Sequence, residues 1–306
     1  MMVKRTKIPR TIIEPWVAVA HTARLLEDIL SQIGDPRQGS NFEKINTLYP
    51  YERSSDWCRE FLSAGIEHML LWASHVAPLS FHPDTEVTHT FRPVQTLSRA
   101  AVESAAHALW VMDQDTAQGC VERHLSVVLD DLQQQRKAAL GSDRKGYLKK
   151  AESLLLKRAE AADGEIIIDH FPGYMAIVKQ AASTVAAKGS ADTDLADPAV
   201  VERLWRASAG SAHGKRWPAM ELQFVRPERE IAPGIFETSR TPDPDAITKI
   251  LNLTSAVLSY GVLRFADYSG YEPDLPAIME AARQRLSKKI PRRTDIPDSE
   301  QDASKT

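Results

Sequence analysis

"SRAAVESAAHALWVM", residues 98–112, is apolar or small almost all the way round a helix from Ala100 to Met112. A helix without a wet face must be surrounded by other elements, so the chain reads as an all-α bundle built about this segment. Glu103, Ser104 and His107 interrupt it. Arg99, Glu103 and His107 follow at i, i+4 and i+8 and therefore share one side of the helix. A carboxylate buried bare would cost several kcal/mol or take up a proton, so Glu103 needs a cation or several donors. Arg99 and His107 supply local ones, and Arg206 is expected to reach it from a facing helix. Two readings stay open: a satisfied network that fixes helix register, or one wall of a functional site.

Working outward, helical periodicity predicts further helices at 14–33, 54–77, 116–140, 142–162, 172–188, 198–213, 243–269 and 273–287, with the central one spanning 93–113. Most begin near Pro, Ser or Asp, and several stop at Gly34, Gly141, Gly214 or Gly270, as capping chemistry favours. Segments 34–53, 78–92 and 188–197 are rich in Pro, Gly, Asp, Ser and Thr and read as loops. "MELQFV" (220–225) and "EIAPGIFE" (230–237) flank a proline-containing turn and suggest a short β-hairpin at 220–237. "EIIIDHF" (165–171) is too short to classify. The organisation expected is an N-terminal helix and loop (1–53) packing on a bundle (54–287), followed by a charged, proline-containing tail (288–306) too poor in apolar residues to fold.

Length and composition bound the function classes. The chain has 306 residues, 43% hydrophobic and 26% charged, enough to bury a sizeable core in one large domain or two modest ones. A net charge of −3 gives no global pull toward nucleic acid or an anionic membrane, although local basic patches remain open. Cys58 and Cys120 belong to no CxxC pattern, so a disulfide framework or thiolate zinc site is not expected, and two free thiols suit a reducing cytosol. The start, "MMVKRTKIPRTIIEPW", lacks the continuous apolar stretch of a signal peptide. The best membrane candidate, "IEHMLLWASHVAPL", is too short to span and carries two histidines. A cytoplasmic protein without membrane attachment is the expectation.

The second stretch with chemical content is "RLWRASAGSAHG", residues 203–214. On a helical wheel Val201, Leu204, Trp205, Ser208 and Ala212 share one side, and Glu202, Arg206, Ala209, Gly210 and His213 the other. Gly210 costs roughly 1 kcal/mol against alanine inside a helix, and close approach of another backbone or of a ligand is the usual compensation. Arg206 and His213 lie on one face, about 10 Å apart along the axis, within reach of a common phosphate. The plainer reading is a surface Glu202–Arg206 pair, with His213 at the negative end of the helix dipole. "HGKRWPAM" then adds Lys215, Arg216 and Trp217, where a basic pair beside an aromatic could hold a single-stranded phosphate and stack a base. Equally, Trp217 could plug the core beside Pro218. In the helix 116–140, Arg123 could add a cation from the flank of an apolar stripe, or be a solvated residue.

"RASAGSAHG" resembles the Arg-(four to six residues)-His signature of the HEPN superfamily, α-helical bundles of toxin, antiphage and RNA-processing ribonucleases. "LSRAAVESAAHALWVMD", an Arg-containing helix and then "SAHG" also resemble a group of HEPN-like bacterial helical proteins, over roughly residues 91–267. The resemblance implies RNA as partner, a homodimer with the small residues 207–212 at its interface, and metal-independent cleavage using the RNA 2′-hydroxyl, with a place in phage defence or stress response. It assigns His213 as the proton-transfer group, Arg206 to the phosphate and Glu103 to orienting or neutralising one of them. Arg99, His107, Arg123, Lys215, Arg216 and Trp217 would line the substrate path. Active members usually carry a polar residue after the Arg, and here it is Ala207, which leaves a non-catalytic interaction scaffold, with an unknown protein partner, as the alternative.

Other chemistries lack their motifs. There is no GxGxxG, P-loop, HExxH or GxSxG, so no cofactor is expected. Glu86-Val-Thr-His89 is the single Glu-x-x-His where a carboxylate-bridged metal bundle needs two, and His68 with His75 lacks a third ligand.

Overall fold

The computed structural model describes residues 10–80, 90–162, 166–188 and 193–291. It is an all-α bundle carrying one two-stranded antiparallel ribbon. The helices are α1 (Arg10–Gln32), α2 (Asn41–Leu48), α3 (Ser54–Val76), α4 (Phe91–Met112), α5 (Ala117–Ala138), α6 (Ser142–Glu160), α7 (Tyr174–Ala187), α8 (Pro198–Ala212), α9 (Arg216–Glu221), α10 (Pro244–Tyr268) and α11 (Leu275–Lys289). The strands are β1 (Gln223–Ala232) and β2 (Ile235–Pro242).

The all-round apolar segment is α4, and it occupies the centre. It packs against α3, α10, α8, α7 and α5. Every residue from Ala105 to Met112 is buried, two full turns at all helical phases, and Ala101 and Val102 are buried before them. Small residues let its neighbours come close: a Cβ on Gly65 of α3 would lie 3.0 Å from the Ala101 carbonyl oxygen of α4 and 2.8 Å from Leu258 of α10. α1 packs on α3, α10 and α11, and its Trp16, Ala20, Leu26 and Leu30 join the same continuous core. α10 is the helix among the described residues that is long and apolar enough to cross a membrane, and it lies with half of that stretch buried inside the bundle.

Several boundaries differ from the sequence expectation for identifiable reasons. The supposed loop 34–53 contains α2, whose start is a reciprocal cap: the Glu43 amide donates to Ser40 Oγ at 3.2 Å, and the Gly39 amide donates to Glu43 Oε2 at 3.1 Å. Its eight residues bury only Phe42 and Ile45, too short a pattern for periodicity to register. In the hairpin, the turn is at Pro233–Gly234, with Gly234 at φ +74°, instead of at Pro227. Pro227 sits inside β1 beside a bulge, a place where a ribbon tolerates a missing donor. Residues 166–173 form no regular element, yet Ile166 and Phe171 are buried and strap the segment to the core. Glu86 and His89 lie outside the described residues, as does most of the tail.

Candidate functional site

The small residues of "RASAGSAHG" are explained by packing. Ala207, Ser208, Gly210 and Ser211 are buried, and Ser211 Oγ donates to the buried Gln95 side chain of α4. The buried arc therefore runs through Val201, Leu204, Ala207 and Ser211, while Ala212, placed on the apolar side by the wheel, is exposed. Gly210 faces α9: a Cβ there would stand 2.7 Å from Pro218 and 3.1 Å from Trp217 Nε1. The chain bends back on itself after Gly214, at φ +67°, which brings Pro218 and the edge of the Trp217 indole against Gly210. Pro218 is buried and Trp217 is 39% exposed, so the proline does the plugging and the indole lies half in solvent.

The charged wall expected of Glu103 assembles with different partners. Its Oε1 accepts from Arg99 Nε at 2.8 Å and from Trp205 Nε1 of α8 at 2.6 Å. The guanidinium of Arg99 stacks over that indole, 4.9 Å from the ring centre. The facing helix thus delivers a neutral tryptophan donor in place of Arg206, because Trp205 rather than its neighbour points toward α4. His107 leaves the stripe as well. Its ring is stacked between Phe61 at 4.8 Å and Phe171 at 5.3 Å, with Nδ1 donating to the Glu103 carbonyl oxygen at 2.8 Å. Burial pushes its pKa below the ordinary value, outweighing that acceptor. Arg99 and Glu103 are thus tied to α8 through Trp205, and His107 to α3 and the 166–173 strap through ring stacking.

Arg123 is structural. Nη1 donates to the carbonyl oxygens of Trp110 at 2.7 Å and Asp113 at 3.0 Å, closing the C-terminal end of α4 where helix carbonyls lack partners. Burial lowers its pKa, with Asp113 pulling the other way.

Arg206 projects into solvent and donates to Glu202 Oε1 at 2.8 Å, the i,i+4 pair of the plainer reading. Glu202 also accepts from Lys179 of α7 at 3.0 Å, and the two cations hold its carboxyl below the usual range. His213 caps α8, exposed, with its amide directed at the Ala209 and Ser211 carbonyl oxygens. Lys215 and Arg216 follow it, also exposed. The structure adds one residue that sequence reading missed: Arg92, exposed at the start of α4, whose Nη1 would lie 3.6 Å from a Cβ on Gly214. Its partner segment is over a hundred residues away, and no local spacing signals that meeting.

The end of α8 is therefore a surface where the cations Arg92, Lys215 and Arg216 accompany His213 beside the half-exposed Trp217. No acid occurs from Arg203 to Met220. Among the described residues no three His, Cys, Asp or Glu side chains are grouped to hold a metal. Cys58 and Cys120 are free and buried, and burial raises both thiols, that of Cys120 to about 11, which removes them as nucleophiles. Comparison with protein-family models, with curated proteins and with solved structures gives no match, so the surface is read from its own geometry.

Proposed function

We propose that this protein is a HEPN-like RNA-binding protein that meets the phosphodiester backbone at the end of α8. The observation that carries the proposal is the division of labour in one short stretch: residues 207, 208, 210 and 211 are buried, while His213, Lys215 and Arg216 face solvent together with Arg92. Arginine and lysine here have phosphate geometry available and no neighbouring acid in sequence to neutralise them. Trp217 offers a face on which a base can stack. His213 supplies the imidazole at this surface, a side-chain type that serves in general acid–base catalysis. In the cleaving version of the proposal, the ribose 2′-oxygen attacks phosphorus and its proton passes to His213. The bond to the 5′-oxygen breaks, that oxygen is protonated from solvent, and a cyclic phosphate remains.

A second reading, a non-catalytic interaction scaffold, is favoured by Glu103 and Arg206. Glu103 is occupied by Arg99 and Trp205, and Arg206 by Glu202, so neither stands free beside His213.

One experiment separates the readings. A mixed single-stranded RNA is incubated in EDTA with wild type and His213→Ala, both confirmed folded, and binding is followed by fluorescence polarisation alongside Arg92→Gln/Lys215→Gln/Arg216→Gln. Cyclic-phosphate fragments from wild type alone establish cleavage at His213. Binding without cleavage, weakened by the triple variant, supports the binding form. RNA affinity unchanged in the triple variant removes the α8 surface, and wild type that binds no RNA leaves the scaffold.

A further inference from the structure

The distal part of the α5–α6 hairpin is strongly basic. Between Gln134 and Arg158 there are eight Lys or Arg residues and two acids, in a chain whose net charge is −3. One of the acids, Glu152, is occupied by Arg136 Nε at 2.5 Å. Asp130 and Asp131, one turn further down α5, accept from Gln134 and Gln135. Lys137, Arg144, Lys145, Lys149, Lys150 and Lys157 are all exposed.

The tip of the hairpin also stands out from the bundle, while Leu155 and Ala159 further along α6 join the core. Among the helices, α6 packs substantially on α5 alone, through Leu148, Leu155 and Ala159. Near its tip, Arg136, Lys137, Lys145 and Lys149 surround a shallow depression floored by Gly146, where a Cβ would meet nothing within 4 Å. Side chains of one sign around an unobstructed hollow repel one another and hold a local positive potential that a multivalent anion relieves.

We propose that the α5–α6 hairpin is a nucleic-acid-binding arm that grips the phosphodiester backbone, with the depression at Arg136, Lys137, Lys145 and Lys149 seating one phosphate. The arm lies on elements separate from the α8 surface and does not depend on the function proposed for it. Its exposed cations lie on both helices, so several can neutralise successive phosphates of one polyanion. An anionic membrane would demand a single apolar stripe flanked by cations. On α6 the exposed Tyr147 and Leu154 fall on one flank and Leu156 on the other, so no such stripe forms.

The test uses the full chain carrying Lys137→Gln, Lys145→Gln, Lys149→Gln and Lys150→Gln, exposed positions whose replacement leaves the Leu148 and Leu155 contacts intact. Binding of labelled RNA and DNA oligonucleotides is followed across a salt series, next to wild type and the α8 triple variant. Wild-type affinity should fall steeply with salt, and the arm variant should bind at least about tenfold more weakly at low salt with a shallower slope, about 0.7–0.9 less per lost phosphate contact. Loss with RNA alone, or with RNA and DNA alike, supports the arm and states its preference. Loss in the arm variant with binding retained by the α8 variant supports the arm while removing the α8 surface. Wild-type affinity and slope in the arm variant overturn it, as does wild-type protein that binds anionic phosphatidylserine vesicles but no oligonucleotide.

Discussion

Trp205 Nε1 donates to Glu103 Oε1 across the α4–α8 interface at 2.6 Å, and Arg99 holds the same oxygen from within α4. The carboxylate is only 15% exposed, so each donor offsets part of a real desolvation cost. Trp205→Phe keeps a ring in the gap and removes one donor. It should lower the unfolding free energy by about 1–2 kcal/mol, toward the lower end for bonds to ionised groups because Glu103 keeps some contact with water. Urea titration at unchanged m checks this. A variant as stable as wild type would mean that water replaces the indole without loss.

Gly210→Ala opposes two effects of known sign. Alanine gains roughly 1 kcal/mol of helix propensity, whereas overpacking a filled contact costs about 1–3 kcal/mol. The new methyl would stand 2.7 Å from Pro218, a ring atom held by the α9 turn, so the steric term should win. Net destabilisation by about 1 kcal/mol is expected, with a shift in indole emission as Trp217 is displaced. Pairing it with Pro218→Ala should recover part of the loss. Stabilisation by the single variant would show that α9 is loosely seated.

Where the sequence was legible, each signal was local. The apolar run of 98–112 placed α4 at the centre because a segment without a polar face has only one place to go. The Arg206–Glu202 pair and the cap at His213 follow from i,i+4 spacing and from Gly214 alone. The wheel also placed Trp205 on the core side and Arg206 on the other; what was hidden is how far the buried arc turns, taking in Ala207, Gly210 and Ser211 and leaving Ala212 exposed. Tertiary packing sets that arc, because small residues such as Ala207, Gly210 and Ser211 carry little apolar signal for a wheel to read. The meeting of Arg92 with Gly214 has no local trace either, since it depends on how two helices distant in sequence end side by side.

The β1–β2 ribbon buries almost nothing. Phe224, Val225, Ile231, Ile235 and Phe236 are all exposed, and the ribbon joins the bundle at Leu222, whose carbonyl oxygen accepts from the Asp243 amide at 3.0 Å. A two-stranded ribbon alone in water is marginal, so its amides should exchange with solvent far faster than those of α4. Replacing Pro227–Thr238 by Asn-Gly would join Arg226 to Ser239, which already pair across the ribbon. Stability should then change by less than about 0.5 kcal/mol. A concentration-dependent loss well beyond that would show the apolar side chains to be covered in solution by a second copy.

His124 should give the protein an acid-sensitive step. Its ring is fully buried, Nε2 donates to the Glu52 carbonyl oxygen at 3.1 Å, Nδ1 has no partner among the described residues, and Trp57 stands edge-on at 5.8 Å. Burial pushes its pKa down to about 4 from 6.5, against the smaller effect of the Glu52 acceptor. The unfolded chain then binds a proton that the folded chain refuses, so the contribution is fully present above about pH 6.5 and is lost as pH falls toward about 4. The gap corresponds to about 3 kcal/mol. Burial of His107 acts in the same direction. In His124→Gln the amide can still donate to Glu52 while nothing titrates, so stability followed by urea unfolding should fall less steeply between those limits than in wild type. Carboxylate titration supplies a background common to both proteins, and the difference isolates the imidazole. Parallel curves would mean that the buried ring finds a proton acceptor or water when it charges, and that the sealed pocket around Nδ1 opens in solution.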